Sequence, residues 1–404
     1  MRCFHSARIE RWRLVRTCWG RYLSPMSTTT ELAQTPFHSF HQQSGAKLVD
    51  YAGWEMPLHY GSIIDEHHQV RKSGGLFDVS HMGRLRFTGK DARRFLDRAC
   101  TRQIAGMTNG QVRYSLICNE RGGCRDDVLV YRNGETDYVM VCNAANRAKL
   151  LEHFEQIRDD LTFALKDETT GTAMVAVQGP EVMELLASFT SEAATLKRFR
   201  FTVKNLMIAK VMISRTGYTG EDGVEVIMPA MFAGQAVKML LNNLRPDESG
   251  DVPIKPIGLG ARDSLRLEAG MPLYGHEITE EIDPISAGLN FAVSLKKGED
   301  DPDVGSFIGQ QALQKIAAEG PKKKIIGLKI EGKRSPRQGM TVKHGDRAVG
   351  EIASGCASPT LGYPIATAYV ETEHTEVGVN LQVDLGRASV DAEVVPLPFY
   401  KPGS

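Results

Sequence analysis

Asn119-Glu120-Arg121-Gly122-Gly123-Cys124-Arg125-Asp126-Asp127-Val128-Leu129-Val130-Tyr131 reads as the turn and return strand of a β-hairpin. The outgoing strand is Val112 to Cys118, rich in β-formers. Arg121-Gly122-Gly123 makes the turn, because paired glycines accept positive φ without steric cost. The return strand opens with two carboxylates and then becomes apolar. Strand residues alternate faces, so Asp127, Leu129 and Tyr131 share one side and Asp126, Val128 and Val130 the other. If both faces are covered, one Asp enters the interior, at a cost of several kcal/mol (order of magnitude) unless paired or hydrogen-bonded. Spacing alone favours the alternative, both carboxylates solvated in the hairpin mouth.

Around this hairpin strands and helices alternate. Ile64 to Val70 reads as an amphipathic helix, and Arg84 to Thr88 as a strand. Gly89 to Cys100 reads as a helix burying Ala92, Phe95, Leu96 and Ala99. Asp137 to Cys142 is a strand, and Asn143-Ala-Ala-Asn146 suits a cap for a helix over Arg147 to Ile157. A further unit runs from the strand Ala173 to Val177 through Gln178-Gly179-Pro180 into a helix, Glu181 to Ser188. Strands follow at Phe201 to Val203, Leu206 to Ser214 and Val224 to Met228, the last entered through the turn Gly217 to Gly223. A helix from Phe232 to Leu244 covers them. The pattern predicts an α+β fold of split β-α-β, ferredoxin-like modules. Glu225 lies one residue inside its strand, unremarkable on a wet face and informative on one that lines a pocket.

Ile257 to Gly270 reads as a glycine loop entering a short helix. Gly258-x-Gly260 lacks the third glycine of a dinucleotide fingerprint, since Asp263 stands there. Arg262 and Arg266 lie a turn apart and can share a solvated face. A boundary is expected near 296–305, then a helix from Ser306 to Glu319. Short strands with His344-Gly345-Asp346 and Leu385-Gly386-Arg387 turns then predict a small antiparallel barrel. The expected parts are an N-terminal extension over 1–30, a main region over 31–298 and a barrel domain over 306–401.

Composition removes several functions. Lys+Arg and Asp+Glu are 49 each, so no global basic field favours nucleic acid or an anionic membrane. No apolar run reaches the roughly 18–20 residues of a membrane span. Seven scattered cysteines without C-x-x-C fit free thiols in a reducing compartment. Asp65, Glu66, His67 and His68 are adjacent on a helix and cannot converge on one ion, so no metal site is expected. Residues 1–25 carry six arginines with Glu10 as the only acid. This resembles a mitochondrial presequence, which would place the protein in the matrix. The alternative is a bacterial, cytoplasmic protein whose translation starts near Met26.

Seven motifs in order resemble one family: Tyr51-Ala-Gly-Trp-Glu-Met-Pro-Leu-His-Tyr60, Phe77-Asp-Val-Ser-His-Met82, Gly122-Gly-Cys-Arg-Asp-Asp127, Ala176-Val-Gln-Gly-Pro180, Gly217-Tyr-Thr-Gly-Glu-Asp-Gly223, Gly260 to Gly270, and Ser358-Pro-Thr-Leu361. From about residue 33 to 401 the chain is similar to the aminomethyltransferase (T-protein) family of the glycine cleavage system. The resemblance implies a multi-part folate-binding region around a central channel, followed by a C-terminal β-barrel. It implies transfer of a methylene unit from the aminomethyl-dihydrolipoyl arm of the H-protein to tetrahydrofolate, alongside the P-protein and L-protein, with no metal and no flavin. Residue by residue, the family's catalytic aspartate matches Asp127, with Asp126 as runner-up. Its folate contacts match Glu225 and Arg262, and further pocket positions match Tyr114, Asn143, Tyr218 and Met82. A C-terminal tyrosine contact corresponds to Tyr400. The family often has Trp where Phe291 stands.

Three other functions compete. A folate-binding relative in iron–sulfur assembly carries a cysteine motif where this chain has Gly270-Met-Pro-Leu-Tyr-Gly-His-Glu277. A domain of a sarcosine or dimethylglycine dehydrogenase would need a flavin domain. A stand-alone tetrahydrofolate-dependent demethylase of a small methylated substrate is the main alternative.

Overall fold

The return strand of the hairpin, Cys124–Gly134, sits second in a five-stranded antiparallel sheet. The sheet order is Gln111–Cys118, Cys124–Gly134, Asp137–Cys142, Gly83–Thr88 and Ala164–Asp167. The computed structural model describes residues 31–206, 209–244, 246, 251–299, 301, 303–386 and 388–403. The expected presequence or mis-assigned start, residues 1–30, lies outside them. The described residues from 32 onward form one compact unit.

Side-chain alternation builds four layers. Val128, Val130, Tyr138, Met140 and Cys142 face outward under the helices Ala92–Ala99 and Arg147–Gln156, against Phe95, Leu96, Leu150 and Phe154. The other face, with Val112, Tyr131, Val139 and Val141, meets a second sheet through Phe77, Val79, Met174, Ala176 and Phe201. That second sheet has six strands, ordered Phe201–Leu206, Ala209–Ser214, Gly223–Pro229, Thr172–Gln178, Gly75–Asp78 and Lys255–Pro256. Its far face carries Ala173, Val175 and Val177 against Val182, Ala233 and Val237 of two covering helices. Each strand thus feeds two cores at period two.

Beyond this sandwich, six strands close into a barrel: Lys323–Ile330, Pro364–Glu371, Arg347–Ala357, Thr341–His344, Asn380–Asp384 and Ser389–Val395. Its interior is aliphatic, with Leu328, Ile352, Val370, Leu381 and Val394. The expected α+β class and C-terminal barrel are present.

Some local expectations fail for identifiable reasons. The Phe201 strand runs on to Leu206, because polar Lys204 and Asn205 pair in the ladder with Val211 and Lys210 instead of forming the turn. The helix expected from Ser306 starts at Gln310, since Gly309 takes φ +89° and breaks the helix there. Arg266 lies on no solvated face. It is 2% exposed and pairs with Glu277 at 2.8 Å.

The hairpin turn shows why two glycines stand there. Gly122 adopts φ +86°. Gly123 has ordinary φ but lies so close to the Glu280 carbonyl that a Cβ would fall 1.8 Å from its oxygen. Asn119 secures the turn, accepting from the Arg121 and Gly123 amides and donating to Glu280 O.

Candidate active site

Neither aspartate of the hairpin is solvated at its mouth. Asp126 is 0% exposed, on the outward face with Val128 and Val130. Asp127 is half-buried on the face of Leu129 and Tyr131. Its Oδ2 accepts from the Tyr114 hydroxyl at 3.2 Å, and its Oδ1 from Asn143 Nδ2 at 2.8 Å. Tyr114 stacks on Phe291, with centroids 5.9 Å apart, and Phe291 is 65% exposed. Tyr114 therefore connects the carboxylate to an exposed aromatic face.

Asp126 is held from the other side. It accepts from the Asn143 backbone amide at 3.0 Å, from Asn143 Nδ2 at 2.7 Å and from Asn146 Nδ2 at 2.6 Å. Asn143 and Asn146 hold the N-cap positions of the short 3-10 turn and the helix that follow, but neither side chain caps. The capping expected of Asn143–Asn146 fails because both amides bind buried carboxylates. Burial, then the Asp127 charge, pushes Asp126 up to about 8 against the pull of the two asparagines. Burial likewise pushes Asp127 up to about 6, opposed by Asn143 and Tyr114. The two titrate as a pair, carrying less than two full charges near neutrality.

Glu225 stands on the inner face of the second sheet, 5% exposed. Its Oε2 accepts from Thr216 Oγ1 at 2.5 Å. Thr216 meets Ser214 Oγ at 2.8 Å, and Ser214 meets the Tyr131 hydroxyl at 3.4 Å. A chain of hydroxyls thus links the strand of Asp127 to Glu225 across the interface between the sheets. Burial raises the Glu225 carboxyl, while Thr216 and the Arg262 charge oppose.

Arg262, on the helix Leu259–Glu268, lays its guanidinium over the Tyr218 ring at 4.6 Å. Its Nη1 is buried with no partner among the described residues. The Tyr218 hydroxyl donates to Pro272 O at 2.6 Å. Burial raises the Tyr218 phenol, and the Asp127 charge adds to this. Asp127, Tyr114, Asn143, Tyr218, Arg262 and Glu225 thus fall into one electrostatic neighbourhood. Met82 is half-buried against the core between the sheets. Tyr400 meets the far end of the Arg262 helix: Arg71 lies 3.9 Å above its ring and its amide donates to Glu268 O at 2.8 Å. None of its described contacts is with Asp127, Glu225 or Arg262.

Sequence reasoning missed His81, although it quoted the motif that contains it. His81 is 5% exposed, packs edge-on to Tyr51 at 5.4 Å, and buries an unpartnered Nδ1. Burial lowers it to about 3, so it is neutral near pH 7, and the Arg262 charge contributes. A second buried atom without a partner beside Arg262 is the signal that only three dimensions provide.

Glu66 and His67 diverge as their helical spacing requires. Glu66 accepts from the Tyr60 and Gly258 amides, and His67 meets Ser264 and Thr360. On the barrel, Glu371, Glu373 and His374 bring ligand-type atoms within 4.8 Å of one another, but Arg347 pairs with both carboxylates. No helix among the described residues is long and apolar enough to cross a membrane.

Comparison with known proteins agrees with this architecture. Residues 37–297 match the GCVT N-terminal domain family, and residues 323–401 match the glycine cleavage T-protein C-terminal barrel domain. An aminomethyltransferase of Rubrobacter xylanophilus is 45% identical over 371 residues, covering 92% of this chain and 95% of that one. One of Saccharopolyspora erythraea is 40% identical over 370 residues, covering 91% and 98%. The crystal structure of glycine cleavage system aminomethyltransferase T from Bartonella henselae superposes with a TM-score of 0.82 at 30% identity, covering 92% of this chain and 99% of that one. By sequence, domain content and fold, the chain belongs to the aminomethyltransferase (T-protein) family of the glycine cleavage system.

Proposed function

We propose that the chain transfers a methylene unit from an aminomethyl group on the dihydrolipoyl arm of the H-protein to tetrahydrofolate, working beside the P-protein and L-protein. The carrying observation is Asp127: a half-buried carboxylate, raised to about 6, with both oxygens already oriented and an aromatic pair joined to it through the Tyr114 hydroxyl. In the reaction two C–N bonds form to the folate nitrogens. One C–N bond to the departing ammonia and one C–S bond to the dihydrolipoyl sulfur break. The two folate N–H protons leave with ammonia and with the thiol.

Asp127 polarises the attacking folate N–H and stabilises the iminium character that develops at the methylene carbon. Glu225 takes the pterin amino group and ring N–H through its carboxylate. Arg262 offers the unpartnered Nη1 to an acceptor on the same ligand. Tyr114, Phe291 and Tyr218 supply aromatic faces, and Met82 an apolar one. Tyr400, from the C-terminal segment, adds a further ligand contact.

Purified protein given aminomethylated H-protein and tetrahydrofolate is expected to form 5,10-methylenetetrahydrofolate and ammonia. Turnover with a small methylated substrate, and none with the H-protein, would replace this reading with a stand-alone demethylase.

A further inference from the structure

Asn143 touches both hairpin carboxylates at once. Its Nδ2 lies 2.7 Å from Asp126 Oδ1 and 2.8 Å from Asp127 Oδ1, and an amide nitrogen has two hydrogens to give. Both are used within the protein. Only the side-chain oxygen of Asn143 is left to meet a ligand.

Asp126 cannot meet the ligand that Asp127 meets. It lies on the opposite face of the strand, 0% exposed, among Val128, Val130 and the helix-packed core. Three N–H groups close around it, two of them from Asn143 itself. Asp126 therefore grips Asn143 by backbone and side chain together. Asn146 fills a third bonding position on the same carboxylate. Held twice, the Asn143 amide cannot rotate, and its remaining hydrogen is fixed on Asp127.

We infer that Asn143 is a positioning residue for Asp127, anchored from behind by Asp126 and Asn146, and that Asp126 serves the reaction through this anchor and not by touching substrate. The inference rests on the proposed role of Asp127. A donor on Oδ1 favours the ionised carboxylate and fixes its plane, while the Tyr114 hydroxyl fixes Oδ2. The ligand then meets a carboxylate with one orientation and a set basicity.

The test uses the full chain with Asn143→Ala, Asn143→Ser, Asp126→Ala and Asp126→Asn. Three readouts are taken: tetrahydrofolate affinity by calorimetry, kcat against pH, and titration of the Asp127 carboxyl by 13C NMR. Asn143→Ala is expected to lower kcat about 10²-fold, as misplacing a reacting group does, with folate affinity unchanged within about twofold. Removing a donor from a carboxylate raises its pKa, so the acid limb of kcat and the Asp127 titration should both move to higher pH. Asn143→Ser, which keeps one short donor, and Asp126→Asn, which keeps an acceptor for Asn143, should recover part of the loss. Asp126→Ala should not. Circular dichroism reports whether each variant folds, and the milder Ser and Asn variants stand if the alanine variants do not. A tenfold loss of folate affinity with kcat and Asp127 titration unmoved would make Asn143 a ligand contact and overturn the inference. An unmoved Asp127 titration in every folded variant would also overturn it. The NMR titration needs no turnover, so it separates this inference from the proposed reaction. Wild-type protein inactive with H-protein would defeat the reaction alone.

Discussion

Tyr114 donates its hydroxyl to Asp127 from the neighbouring strand, at 3.2 Å, while its ring lies against exposed Phe291. The hydroxyl thereby ties the carboxylate to an aromatic pair whose outer ring, Phe291, is exposed. Asp127 is partly accessible while Asp126 is fully buried, as the proposed role of Asp127 requires.

Asp127→Asn keeps the volume and an acceptor for Asn143 but loses the charge. Turnover should fall by about 10²–10⁴-fold, the range for a positioned acid–base group, with folate affinity kept within a few-fold. On the proposed role the ionised form is the active one, and burial pushes this carboxyl up to about 6. Activity should therefore rise as pH climbs through about 6 and be lost below it. The measurement is kcat against pH for both proteins. A larger loss from Asp126→Asn than from Asp127→Asn would reverse the assignment of faces.

Glu225→Gln should preserve the bond from Thr216 and remove the charge that a pterin N–H group meets. A charge-assisted hydrogen bond contributes about 1.5–3 kcal/mol, which corresponds to roughly 10- to 10²-fold in tetrahydrofolate Kd. Arg262→Ala should weaken binding to a similar degree while leaving Tyr218 in place on Pro272. Calorimetric titration of both variants checks this. Unchanged Kd in both would remove them from the binding site.

Much of this was legible because periodicity records burial. The alternation of Asp126, Val128 and Val130 with Asp127, Leu129 and Tyr131 placed the two carboxylates on opposite faces, and the structure keeps them there. The barrel was legible from short strands punctuated by glycine turns. The destinations of side chains were not. Asn143 and Asn146 look like caps, because a cap and a buried-carboxylate donor use the same amide. Arg266 looks like a solvated helical residue, because Glu277 reaches it only through the fold. Glu225 could be called buried only once Thr216 and the second sheet lay around it.

Gly123 tests whether the turn must stay tight. A methyl group there would overlap the Glu280 carbonyl, whose oxygen would lie 1.8 Å from the new Cβ. Because that neighbour is backbone, the hairpin or the 280 segment must move. Gly123→Ala should cost at least roughly 1–3 kcal/mol, the range for overpacking, and lower kcat by moving Asp127. Gly345→Ala is the control: φ is +60° but no atom lies within 4 Å of the added carbon. Urea unfolding should separate the two, with the glycine at 123 the more costly to replace.

Glu268 ties the barrel to the sandwich, and its protonation should set the acid stability of that joint. It is fully buried at the end of its helix and accepts from Arg71 Nη2 at 2.8 Å, from Thr360 Oγ1 at 2.8 Å, from the Thr360 amide at 3.1 Å and from Ser358 Oγ. His67 Nε2 lies 3.1 Å away. Burial would raise this carboxyl, but the bonds from His67, Ser358 and Arg71 outweigh it and hold Glu268 at about 2, below the ordinary 4.5. Burial also lowers His67, so near neutrality its part is a hydrogen bond, and its charge adds to the pull on Glu268 only once it protonates at lower pH. A depressed carboxyl stabilises the folded state above its unfolded pKa, and that stability disappears as pH falls through the folded value. The window therefore runs from about pH 4.5 down to about 2, and the shift, to which the charge of protonated His67 contributes, sets an upper bound of about 3 kcal/mol. Glu268→Gln should lose a comparable amount at pH 7, because Arg71 then keeps Glu221 alone as a carboxylate partner among the described residues. Unfolding free energy measured from pH 7 to pH 2 should then fall less steeply in the variant than in the wild type over that window. Parallel curves would mean that Glu268 carries no charge-dependent part of the joint.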